Sequence, residues 1–105
     1  MQVQHDSGAT KAKIATECTE KLLTLIDAIE LLGTAKEELK PKLTELLDIH
    51  NKMTNLPPSY KGRDTLLKWL AKYGPMGALD ELSDTDKAEF EMDLQEQYQE
   101  FKKAL

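Results

Sequence analysis

The stretch KAKIATECTEKLLTLIDAIELL, residues 11–32, decides the fold. Its apolar residues Ile14, Cys18, Leu22, Leu25, Ile29 and Leu32 recur at steps of four, four, three, four and three. That is the period of a helix with one apolar face. Thr10 suits the start of such a helix and Gly33 its end. Upstream, Met1–Thr10 is polar, contains Gly8 and shows no periodicity, so it reads as a flexible leader, with the folded domain spanning residues 11–105.

Downstream the pattern returns. Leu39, Leu43, Leu46, His50 and Met53 form a second stripe, over Lys36–Met53. Pro41 leaves two readings, because proline suits a first turn and breaks an interior. Either the helix starts near Pro41, or it starts near Thr34, a cap-type residue, and bends; the second is preferred. Pro57 and Pro58 make the stretch from Thr54 to Ser59 a connector. A third helix over Gly62–Tyr73 puts Leu66, Trp69, Leu70 and Tyr73 on one face, and Gly74-Pro75-Met76-Gly77 ends it. Ser83 suits the N-cap of a fourth helix, Asp84–Lys103, with acids in its first turn where the helix dipole favours them. Its apolar positions are Phe90, Leu94, Tyr98, Phe101 and Leu105. No segment alternates with the period of a strand. Four amphipathic helices on short links must share one core, which predicts an all-α, up-and-down antiparallel four-helix bundle.

Charge narrows the function. The chain carries 14 Lys and Arg against 19 Asp and Glu, a formal net charge of −5. Residues 80–105 hold nine acids and three lysines (−6), and residues 1–79 hold ten acids and eleven bases (+1). A phosphate-binding surface needs a basic footprint, so nucleic acid and direct capture by an anionic membrane are disfavoured. No apolar run approaches the ~20 residues of a membrane span. One cysteine cannot form an internal disulfide or a multi-thiolate metal site. A cytosolic setting is the simplest expectation.

The chemistry-bearing residues are few. His5 lies in the leader, and His50 reads as a bundle-edge residue on the second stripe. No Glu-x-x-His pair of the di-iron kind is present. Cys18 sits on an apolar stripe with no histidine at helical spacing, so a buried structural thiol is expected. The five glycines are scattered and form no phosphate loop. The expectation is a protein without enzymatic activity, cofactor or metal.

What remains is the outward face. At 100° per residue, a core stripe on Leu22, Leu25 and Ile29 sends Glu20, Thr24, Asp27 and Leu31 outward, with Leu23 on the flank. In the last helix Met92 points out, and Glu89, Asp93, Glu96 and Glu100 form an acidic ridge. Such a ridge either keeps a domain soluble or attracts a basic partner. A generic helical scaffold self-associating through Leu31 and Met92 is the alternative to an interaction module.

A set of spaced residues then points further. Leu56-Pro57-Pro58, Gly62-Arg63, Trp69-Leu70, Met76, Ala78, Asp80-Glu81-Leu82, Asp93-Leu94, Tyr98 and Phe101 fall in one order, preceded by Thr24, Asp27, Ala35, Glu38, Pro41 and Met53. In these positions the chain is similar to the carboxy-terminal domain of the vacuolar protein sorting-associated protein 28 family, whose members are ESCRT-I subunits. The likeness covers roughly Ile14–Leu105. It departs at Ser59 and Tyr60, where the family has an acid and a phenylalanine, and at Ala88, Met92, Gln95 and Gln97. The family's amino-terminal portion, which joins the ESCRT-I core, has no counterpart here, so the chain reads as a piece of a longer protein.

The resemblance implies a non-enzymatic adaptor. It would link ESCRT-I to the ESCRT-II subunit that bears a GLUE domain, and is tied also to an ESCRT-III subunit, in multivesicular-body sorting of ubiquitinated membrane cargo. The other ESCRT-I subunits would be reached through the missing portion. The protein would be cytoplasmic and recruited peripherally to endosomal membranes, a monomer in isolation. The docking candidates it marks are Thr24, Asp27, Arg63, Asp93 and Tyr98, and the outward-facing Leu31 joins them. Tyr98 also reads as core, and Arg63 also reads as a structural partner of an acid in the Asp80-Glu81 loop.

Overall fold

Cys18, Leu22, Leu25 and Ile29 are all withdrawn from water, as the period of residues 11–32 predicts, and Ile26 and Ala28 widen the same face. In this computed structural model, which describes residues 6–53 and 56–104 and side chains from Lys11 on, four helices account for the regular structure and no strand occurs among the described residues. They are α1 (Asp6–Leu32), α2 (Lys36–Asn51), α3 (Gly62–Tyr73) and α4 (Asp84–Ala104). Each packs its backbone on two neighbours, in the cyclic order α1, α2, α3, α4 and back to α1. Ion pairs fix the directions. Lys21 of α1 meets Glu45 of α2, while Lys68 and Lys72 of α3 meet Asp93 and Asp86 of α4 in reversed order. The molecule is an antiparallel four-helix bundle with one core, in which Trp69 and Phe90 stack at 4.6 Å between centroids.

Several expectations are corrected. α1 begins at Asp6, not Lys11, so Thr10 lies inside the helix rather than at its start; Met1–His5 of the expected leader lie outside the described residues. α2 runs unbroken from Lys36, so it starts near Thr34 and carries Pro41 in its second turn. Thr34 itself is not the cap, because Ala35 holds that position without a side-chain bond. Instead a loop supplies the acceptors. The first N–H groups of α2 have no partners within the helix. Lys36 N–H donates to Asp80 O at 3.0 Å and Glu37 N–H to Ala78 O at 2.9 Å. Leu32 ends α1 past the packed layer and is 56% exposed, although it shares the core register. On α4 the buried stripe is Phe90, Leu94, Gln97 and Phe101, so Gln97 takes the place expected of Tyr98, which is only half-buried. Ser83 does cap α4, its Oγ accepting from Asp86 N–H at 3.1 Å.

Thr34 is the knot of one bundle end. Leu82 N–H donates to its Oγ1 at 3.0 Å, and Tyr73 Oη donates to its carbonyl at 2.7 Å. Gly33 beside it turns the chain at φ +87, a conformation side-chain-bearing residues rarely adopt.

Candidate docking surface

The core chemistry is assembled from three helices and the connector. His50 is buried, not at the bundle edge, because the α2 stripe turns it inward under the connector. Its Nδ1 donates to Leu46 O at 2.9 Å, the helical carbonyl four residues back. Nε2 must then accept, and it accepts a hydrogen bond from the Tyr60 hydroxyl at 2.8 Å. The Gln97 amide N–H donates to Tyr60 Oη at 3.3 Å. Cys18 Sγ lies 3.7 Å from Nδ1. The sequence hid this neighbourhood, since Cys18 and His50 are on different helices. Burial, with Glu17 nearby, pushes the Cys18 thiol up to about 12, so it stays protonated. Burial also lowers the His50 pKa, against its bond to Leu46 O, and the Arg63 charge lowers it further. A protonated thiol and a neutral, enclosed imidazole hold the connector down; they are not poised as nucleophile and base. Gly62 is required nearby, because the Tyr60 ring occupies the space a Cβ would take. Among the described residues no three His, Cys, Asp or Glu gather as a metal site. An open cleft of about 260 Å³ flanks the connector, lined by Pro57, Ser59, Tyr60, Glu100, Lys103 and Ala104.

The six docking candidates do not converge. Thr24, Asp27 and Leu31 share the outer face of α1, all exposed, Leu31 at 80%. Asp93 turns into the α3–α4 seam instead. Its Oδ2 accepts from Trp69 Nε1 at 2.9 Å and pairs with Lys68 at 2.9 Å. Glu89 pairs with the same lysine, and both acids raise the Lys68 pKa. Two of the four acids of the α4 ridge therefore share the single Lys68 charge, with Glu96 and Glu100 left exposed. Arg63 does not meet the Asp80-Glu81 loop. It opens α3, and that loop lies beyond the helix's other end, so its Nε donates to Asn51 Oδ1 of α2 at 2.8 Å. Asp80 and Glu81 serve locally, accepting from Gly77 N–H at 2.8 Å and Thr34 N–H at 3.4 Å. Tyr98 carries the Lys102 ammonium 4.6 Å from its ring centroid. Met92 stands 66% exposed on α4.

The sequence reading missed Thr34, Tyr60 and Gln97 as the polar ties of the core, and Leu79 as an exposed apolar residue. Only Leu79 had a local signal, an apolar side chain inside a Gly- and acid-rich loop.

Fold and surface together define an all-α helical bundle whose buried polar groups serve packing and whose α1 face is left bare. The chain belongs to the VPS28 family. The family model described as VPS28 protein matches residues 1–105. The chain is 32% identical over 99 residues to vacuolar protein sorting-associated protein 28 homolog 2 of Arabidopsis thaliana, covering 94% of this chain and 47% of that protein. It is 34% identical over 94 residues to the homolog of Schizosaccharomyces pombe, covering 89% and 38%. It is 32% identical over 90 residues to vacuolar protein sorting-associated protein 28 of Saccharomyces cerevisiae, covering 86% and 36%. The chain thus spans less than half the length of these relatives. Among the described residues no helix is long and apolar enough to cross a membrane.

Proposed function

We propose that this chain is the docking domain of an ESCRT-I subunit, acting in vacuolar protein sorting as a non-enzymatic adaptor at the cytoplasmic side of endosomal membranes. Its partner is the ESCRT-II subunit that bears a GLUE domain, with an ESCRT-III subunit as a further one; the other ESCRT-I subunits engage parts of the protein outside this chain. Family membership supports the pathway, and the relatives' names carry vacuolar sorting. One observation carries the docking role: Thr24, Asp27 and Leu31 lie together on the α1 face, exposed. Folding does not use them, so the match of Thr24 and Asp27 to the family pattern, with Leu31 bare beside them, supports a contact outside the molecule.

Calorimetric titration of the ESCRT-II subunit into the purified chain tests this. Asp27→Lys should weaken binding about tenfold, with far-UV circular dichroism unchanged. Equal affinity for Asp27→Lys and Leu31→Ser would remove the α1 face from the proposal. The self-association reading draws on the exposure of Leu31 and Met92. They lie on different helices, and sedimentation over a concentration series should show a monomer.

A further inference from the structure

The α3–α4 loop carries a leucine in the open. Leu79 is 74% exposed, yet the residues on either side are fixed, since the Ala78 and Asp80 carbonyls accept the first N–H groups of α2. Those bonds hold Leu79 at the bundle end where α1 stops. Leu31 and Leu32 stand there, 80% and 56% exposed. None of the three fills the core. Three exposed leucines gathered at one bundle end, one of them on hydrogen-bonded loop backbone, are what a docking surface presents, whereas scattered single leucines are ordinary.

The rim is of one sign. Segments 30–38 and 78–84 hold six acids (Glu30, Glu37, Glu38, Asp80, Glu81, Asp84) and one base, Lys36. Lys36 is spent within the fold, its Nζ donating to Gly74 O at 3.1 Å and Met76 O at 2.6 Å. Glu30, Glu37 and Asp84 are exposed at the same bundle end, at the close of α1 and the starts of α2 and α4. We propose that this leucine cap docks a cationic amphipathic segment of another polypeptide, with its apolar side chains on Leu32 and Leu79 and its lysines or arginines against the acidic rim. Charge complementarity selects that occupant. A second copy would bring the same negative rim, and an anionic lipid surface would be repelled. The cap adjoins the α1 face at Leu31 but needs neither Thr24 nor Asp27, so it stands apart from the ESCRT-II reading.

The test uses a fluorescein-labelled peptide with leucines and lysines at helical spacing, followed by anisotropy at low and high salt. A sister peptide has glutamate for every lysine. Leu79→Ser and Leu32→Ser should each weaken the lysine peptide about tenfold, with helicity and thermal midpoint retained. Glu30→Lys should weaken it and flatten its salt dependence. The double variant Met92→Ser/Glu96→Lys on α4 should stay within about twofold of the parent, and the glutamate peptide should not bind. Unchanged affinity in both leucine variants overturns the proposal. So does an equal loss in the α4 variant, which would mean diffuse attraction to an acidic protein. A dimer that Leu79→Ser dissolves, or Leu79-dependent binding to phosphatidylserine vesicles, would give the cap to a different occupant and overturn it as well.

Discussion

His50 takes its state from proton bookkeeping. Nδ1 gives its proton to Leu46 O, so Nε2 is the acceptor that satisfies the Tyr60 hydroxyl. A second proton would put a charge into the core with Arg63 close enough to oppose it, and would turn the acceptor into a donor. The folded state therefore holds the His50 pKa below its ordinary 6.5, and the unfolded chain binds the proton first as pH falls. Stability from this histidine is complete above that value and is lost as pH drops from it toward the lower folded pKa. Thermal melts should show the midpoint falling from about pH 7 to about pH 5, and His50→Leu should flatten that slope. Tyr60→Phe leaves Nε2 only the longer bond from the Gln97 amide, at 3.3 Å, and should cost about 1 kcal/mol by urea unfolding. The sequence showed a thiol on one stripe and a histidine on another. It could not show them meeting, because the rotation of each helix about its axis is fixed only by the partners it packs against.

Elements were legible where a backbone rule stood alone. α3 starts at Gly62 and stops before Gly74-Pro75, and those residue types forbid much else. The start of α2 was ambiguous because two rules competed: a proline that favours a first turn, and a threonine that favours a cap. Tertiary structure overrode both, using Thr34 as a buried acceptor and the α3–α4 loop as the cap. Thr34→Val keeps shape but strands the buried Leu82 N–H, and should destabilise by about 1–3 kcal/mol in chemical unfolding. Pro41→Ala works in the other direction. Pro41 is exposed in the second turn and lacks the N–H that would bond back along α2. Its replacement should raise the thermal midpoint, with a gain of about 1–2 kcal/mol, below the ~3 kcal/mol of a fully interior proline.

For the whole molecule, four stripes on short links specify a bundle because no smaller set of them can bury its apolar faces. They do not specify which flank of each helix meets which neighbour. That missing piece decides the fate of the candidate site. Asp27 and Asp93 are both acids off the core stripe and both match the family pattern, Asp27 opposite its stripe and Asp93 on the flank of its own. The ring order of the helices leaves the outward face of Asp27 bare and presses the flank of Asp93 against α3, where Trp69 and Lys68 claim its carboxylate. The two should part in a paired measurement of stability and binding. Asp93→Ala removes the acceptor of a largely buried indole N–H and should cost about 1–3 kcal/mol in urea unfolding, so any binding it loses passes through the fold. Asp27→Ala should stay within about 0.5 kcal/mol of the parent while weakening the ESCRT-II subunit. If both variants kept full stability, the α3–α4 seam would not be held by Asp93; if both lost it equally, the α1 face would be part of the scaffold rather than a surface open to a partner.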